Sequence, residues 1–193
     1  LLHQQVETLK EYTNFNKECS LHVHLGGYPL KPDTIYNLYL VCRSIEAELE
    51  GILPDLTFKS SKYKDNGKDY CKKLAWYNSF EEMYLHLVRR QFFGSFTQAH
   101  PDDKERKRKW NIPTRYYWCN FINALCYQVN KTIEFRFLRP TYNFKKILLW
   151  LYIFNGILRF AEEYYIPENP VDLTIIMNTC YPPDLAKELC LGI

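Results

Sequence analysis

Apolar residues fall on two periods along the chain, and each change of period marks an element. Leu2, Val6, Leu9 and Tyr12 recur at helical spacing, which predicts a helix over residues 1–17. Cys19, Leu21, Val23 and Leu25 then alternate with Ser20, His22 and His24, the pattern of a strand with one apolar and one polar face. Gly26-Gly27 and Pro29 end it. Asp33 is placed as the cap of a helix running to about Glu50, with Ile35, Leu38, Tyr39, Cys42, Ile45 and Leu49 on one stripe. Ser79-Phe80-Glu81-Glu82 has the capping-box pattern and opens a helix to about Phe92.

Residues 51–77 are mixed and lysine-rich and read as loop with short elements. Thr97 to Pro113 is polar, centred on the basic run Lys104–Lys109, and reads as a mobile, solvated loop over 97–113. Two strands are predicted at Arg115–Phe121 and Thr132–Leu138, with a helical turn between them. Asn143 caps the longest helix, about Phe144 to Tyr164. Its stripe of Ile147, Leu148, Leu151, Phe154, Leu158 and Ala161 is expected to face the core, on the side of the sheet that carries Val23, Ile133 and Phe135. Short helices near Val171–Asn178 and Pro183–Cys190 finish the chain. Too few strands are present for a doubly wound parallel sheet. The pattern predicts an α+β fold, an antiparallel sheet packed by helices, in a single domain over 1–193.

Composition narrows the function classes. Hydrophobic residues are 47% and charged residues 24%, globular values that exclude a disordered tail or a rod. A net charge of +3 is too weak for nucleic-acid binding by bulk electrostatics. The seven cysteines show no C-x-x-C spacing, so zinc-ribbon and thioredoxin readings fail, and they are read as reduced thiols of a cytoplasmic protein. The most apolar run, Ile147–Leu158, is about half of the roughly 20 residues a spanning helix needs, so no membrane partner is expected.

Two short runs carry the candidate chemistry. In Leu21-His22-Val23-His24-Leu25 both imidazoles leave one strand face, about 7 Å apart along the backbone. Such a pair can ligate a metal, or share a metal and a phosphate oxygen. The glycines that follow would let a ligand approach the backbone. In Thr132-Ile133-Glu134-Phe135-Arg136-Phe137, Glu134 and Arg136 share one face behind a ring-rich other face. A carboxylate suits Mg²⁺, and a guanidinium suits phosphate or carboxylate. Each run has a plain alternative, a solvated face with two histidines and an exposed charge pair of little energetic weight. Side by side in one antiparallel sheet they would pool their polar faces, with Arg115 and Asn120 on the intervening strand adding to them.

Cys19-Ser20-Leu21-His22-Val23-His24-Leu25, then Arg115-Tyr116-Tyr117-Trp118-Cys119-Asn120, then Thr132-Ile133-Glu134-Phe135-Arg136-Phe137 with a tryptophan-containing helix after it, resembles the amidoligase family. That family is similar to glutamine synthetase and glutamate–cysteine ligase. The resemblance spans Cys19–Leu25 and Arg115–Phe160, with no match over about Ile52–Asn111. It implies a glutamine-synthetase-like catalytic half and ATP- and Mg²⁺-dependent joining of a small-molecule or peptide carboxylate to an amine through an acyl phosphate. It also implies His22 and Glu134 as metal ligands, His24 as a contact to ATP phosphate, Arg136 as the holder of the transferring phosphoryl group or the substrate carboxylate, and Arg115 as a second contact to phosphate. The family opens with a strand carrying E-x-E, and Glu46-Ala47-Glu48-Leu49-Glu50 does not replace it, because i and i+2 do not face each other on a helix. Its carboxylates are expected on a solvated face.

The chain therefore reads as the C-terminal part of a longer domain, with an N-terminal segment or a protein partner completing the site. The alternative is a catalytically degenerate, amidoligase-like structural or binding module in a larger assembly. A third reading, a metal-dependent hydrolase or phosphate-binding protein, shares only the H-x-H and E-x-R strands.

Overall fold

The computed structural model describes residues 1–14, 21–52, 73–96, 117–126 and 131–191, with side chains described to residue 88 in the third stretch. In chain order the elements are α1 (Leu2–Tyr12), β1 (Leu21–Gly26), α2 (Pro32–Ile52), α3 (Phe80–Phe96), β2 (Cys119–Asn120), α4 (Ile122–Cys126), β3 (Thr132–Leu138), α5 (Phe144–Glu163), α6 (Leu173–Cys180) and α7 (Pro183–Leu191). The fold is mixed helix and sheet, with a small antiparallel sheet in the order β1-β3-β2. The 97–113 loop and the first two residues of the predicted Arg115–Phe121 strand, Arg115 and Tyr116, lie outside the described residues, and of the rest only Cys119–Asn120 forms the strand β2.

Two compact units share the chain: Leu1–Val23, Asn37–Leu56 and Phe137–Ile193 in one, His24–Tyr36 and Thr57–Arg136 in the other. The first is built on α5. Its N-terminus is capped as predicted, Asn143 Oδ1 accepting the Lys146 N–H at 3.2 Å. The buried face is wider than the predicted stripe and turned from it. Ile147, Phe154, Leu158 and Ala161 are buried, but so are Trp150, Ile153, Ile157 and Phe160, whereas Leu151 is half-buried and Leu148 exposed. A second packing surface causes the change. Gly156 is buried against α6 and the residue that follows it, so a Cβ there would stand 2.8 Å from Met177 Cε and 2.9 Å from Tyr181 Cε2.

The Tyr181 ring cannot easily yield. Its hydroxyl donates to the Tyr152 carbonyl at 2.6 Å and accepts from Asn155 Nδ2 at 3.2 Å. Cys180 fits the same contact: its thiol donates to the Gly156 carbonyl at 3.3 Å, and burial pushes its pKa up to about 11. Glycine is usually the costlier residue in a helix, by roughly 0.5–1 kcal/mol against alanine. Here the sign should reverse: Gly156→Ala should destabilise, by about 1–3 kcal/mol of overpacking less that helix gain. A lower thermal midpoint for the variant checks it, and a higher midpoint would contradict the close approach.

Helix α2 begins at Pro32, with Asp33 inside its first turn rather than capping it. Proline at the first helical position has no N–H to leave unsatisfied and a φ already suited to the helix. Its core stripe Leu38, Tyr39, Cys42, Ile45 and Leu49 is buried as predicted. The acidic run is not a solvated face: Glu46 is buried and accepts from Arg43 Nη1 at 2.7 Å, and Glu48 accepts the Leu173 N–H at 2.9 Å. Helix α1 ends at Tyr12, and of its predicted stripe only Val6 is buried.

In the second unit, Ser79 Oγ accepts the Glu82 N–H at 3.1 Å, one half of the predicted capping box. The return bond is displaced by one residue, Glu82 Oε2 accepting from the Asn78 N–H at 2.8 Å. Met83 and Leu87 of α3 are buried, and α3 packs on α4.

Candidate functional site

β3 runs over the predicted residues, Thr132–Leu138. β2 pairs with it antiparallel, Cys119 opposite Phe135 and Asn120 opposite Glu134. On its other side Gly26 lies against Lys131 and Thr132 and His24 against Glu134, so β1 also runs antiparallel to it. Gly26 sits tightly in this pairing: a Cβ would meet the Lys131 carbonyl at 3.1 Å. Gly27 leaves the strand at φ +87°, a backbone region other residues rarely enter.

Period two holds along β3, but its polar face is not exposed. Ile133 and Phe135 are fully buried on one face, Phe135 beside Trp118 with ring centroids 6.1 Å apart. Glu134 and Arg136 on the other face are only 7% and 9% exposed. The exposed charge pair expected as the plain alternative is therefore excluded. A buried carboxylate and guanidinium each lose hydration worth several kcal/mol, which only good partners recover.

Those partners come from the strands on either side. Glu134 Oε1 lies 3.5 Å from His24 Nε2 and 3.5 Å from Arg136 Nε. Glu134 Oε2 accepts from Asn120 Nδ2 at 2.8 Å. Asn120 is buried, and its Oδ1 accepts the Ile122 N–H at 3.0 Å, a side-chain turn that starts α4. The arrangement is a buried carboxylate with one oxygen fixed by an amide and the other between an imidazole and a guanidinium. The His24 side chain is 45% exposed, so the open edge of the cluster is an imidazole in contact with solvent.

The structure thus brings together His24, Glu134 and Arg136. His22 is exposed two residues earlier in β1. Asn120, an accessory on sequence grounds, approaches Glu134 more closely than His24 or Arg136 does. Its sequence signal is a place on the strand predicted between the two polar runs, and its position opposite Glu134 comes from the observed register.

Cys119 is buried, and burial raises the Cys126 thiol pKa, the reverse of what a thiolate nucleophile needs. Among the described residues, no three His, Cys, Asp or Glu side chains gather to hold a metal ion. No described helix is long and apolar enough to cross a membrane. Neither the family models, the curated proteins nor the solved structures give a match to this chain.

Proposed function

We propose that this sheet face is the metal–phosphate part of an ATP-dependent carboxylate–amine ligase of the amidoligase kind. The observation that carries the reading is the meeting of His24, Glu134 and Arg136 at one carboxylate oxygen. The donor set fits a divalent ion in part. Two ligands about 2.1 Å from one ion, at adjacent coordination positions, stand roughly 3.0–3.4 Å from each other. His24 Nε2 and Glu134 Oε1 are 3.5 Å apart. We therefore give the ion to His24 and Glu134, in place of the His22 and Glu134 pair that the resemblance implies, and leave His22 and Arg115 without a role in this proposal.

Charge then says what must arrive with the ion. Glu134 and Arg136 cancel, so a bare dication would add two positive charges to a guanidinium's surroundings. A polyphosphate removes that cost, and Arg136 supplies a forked donor set to its oxygens. When bound, Mg²⁺ would neutralise phosphate charge during transfer to the substrate carboxylate, and an amine would then displace the phosphate. Glu46 and Glu48 of α2 already serve Arg43 and the α6 N-terminus rather than caging a second ion.

This chain should therefore bind Mg-ATP but release no ADP in response to amines. Calorimetric titration of Mg-ATP, with Glu134→Gln as the comparison, tests it. Binding weakened at least about tenfold by that change, or about 1.4 kcal/mol, is the expected result. No binding by the unaltered chain, or equal binding by both, would overturn the reading.

One observation favours a second reading, a degenerate structural or binding module. The 2.8 Å bond from Asn120 and the depth of Glu134 suit a polar knot that fixes β2 to β3. That reading predicts no Mg-ATP binding together with a large stability loss on removing Glu134.

A further inference from the structure

Glu134 has two carboxylate oxygens in different surroundings, and a carboxylate can turn about its terminal torsion at little cost unless something holds it. Oε2 accepts from Asn120 Nδ2 at 2.8 Å, while Oε1 stands 3.5 Å from both His24 and Arg136. The two 3.5 Å contacts are too long to fix the torsion by themselves, whereas the 2.8 Å bond has the length of a charge-assisted hydrogen bond.

Asn120 is itself fixed at both ends of its amide. Its Oδ1 is committed to the Ile122 N–H at 3.0 Å, which settles which end of the amide is the donor toward Glu134. Its backbone position is set by the register with Glu134, and its side chain is buried. The first turn of α4 thereby determines the direction of a carboxylate on another strand.

We propose that Asn120 is the positioning residue of the cluster: its amide holds Glu134 Oε2 and so presents Oε1 to His24 and Arg136. This orientation does not depend on what the cluster binds. Its consequence for Mg-ATP rests on the function proposed above.

The two bonds of Asn120 can be separated by substitution. Asn120→Ser keeps a short oxygen able to accept the Ile122 N–H in the equivalent serine turn, but has no amide to reach Glu134. Asn120→Ala loses both. Crystal structures of the full chain carrying each change would be compared with the unaltered chain. The expected result is a reoriented Glu134 in both variants, with the nearer of its two equivalent oxygens more than about 4 Å from His24 Nε2, beyond what a hydrogen bond or ion pair spans.

In Mg-ATP titration the serine variant should bind about tenfold more weakly, and adding it to Glu134→Gln should cost nothing more, since the two changes act on one group. A Glu134 that keeps its 3.5 Å contacts in the serine variant overturns the proposal. So does a serine variant that fails to fold, which would assign Asn120 to the fold alone. Absence of Mg-ATP binding in the unaltered chain would refute the ligase reading but leave the orientation of Glu134 to decide this one.

Discussion

Glu134→Ala should lower the stability of the folded chain by about 3–5 kcal/mol, the range for removing one member of a buried ion pair. The reason lies in what remains. The Arg136 side chain is 8% exposed and would lose the carboxylate beside its Nε, and the buried Asn120 amide would lose its 2.8 Å acceptor. Against a total of about 5–15 kcal/mol for a domain, such a loss is a large fraction. Glu134→Gln keeps an oxygen acceptor for Asn120 and the side-chain volume, though its NH2 replaces the oxygen beside His24 and Arg136, so it should cost less than alanine. Urea unfolding of the three proteins, compared by midpoint at constant slope, reads both values. A loss below about 1 kcal/mol for the alanine variant would mean that the cluster is reached by water.

Much of this cluster could be read from the alternation of residues. Thr132–Leu138 is a strand over the residues predicted, and of the four side chains expected on the pooled polar face His24, Glu134 and Arg136 are seen to meet. Burial of that face could not be read. A Glu and an Arg two residues apart look the same on an exposed strand and on a buried central one. The difference depends on elements far away in sequence. Asn120 could be named as an accessory but not weighed: its weight comes from register, and no local pattern encodes which residue of one strand stands opposite which residue of another. The α2 carboxylates show the reverse error. Glu46 and Glu48 look like an exposed helical face until Arg43 and the α6 N-terminus are placed beside them.

The second large effect is expected in the other unit. Phe154 is fully buried, with its ring centroid 5.4 Å from that of Phe137 and 5.5 Å from that of Trp150. Phe154→Ala should cost about 3–5 kcal/mol, from lost transfer energy plus the cavity left among rings. Leu148→Ala, on the same helix, should fall within about 0.5 kcal/mol of no change, because Leu148 is 36% exposed. Helical periodicity assigns both residues to one stripe. The structure separates them because α6 packs at Gly156 and turns the buried arc of α5 toward Ile153 and Ile157. Equal losses at Phe154 and Leu148 would restore the predicted stripe and contradict the observed one.

The measurement closest to the central claim is a crystal structure of the unaltered chain grown with Mn²⁺ and ATP, read by anomalous scattering. Manganese takes oxygen and imidazole ligands such as these and marks its own position. The account predicts a peak about 2.0–2.3 Å from both His24 Nε2 and Glu134 Oε1, with phosphate oxygens beside Arg136. It also predicts no such peak with Mn²⁺ alone, because the guanidinium opposes a bare dication. Nucleotide bound away from this sheet face, or a peak that ignores Glu134, would contradict it.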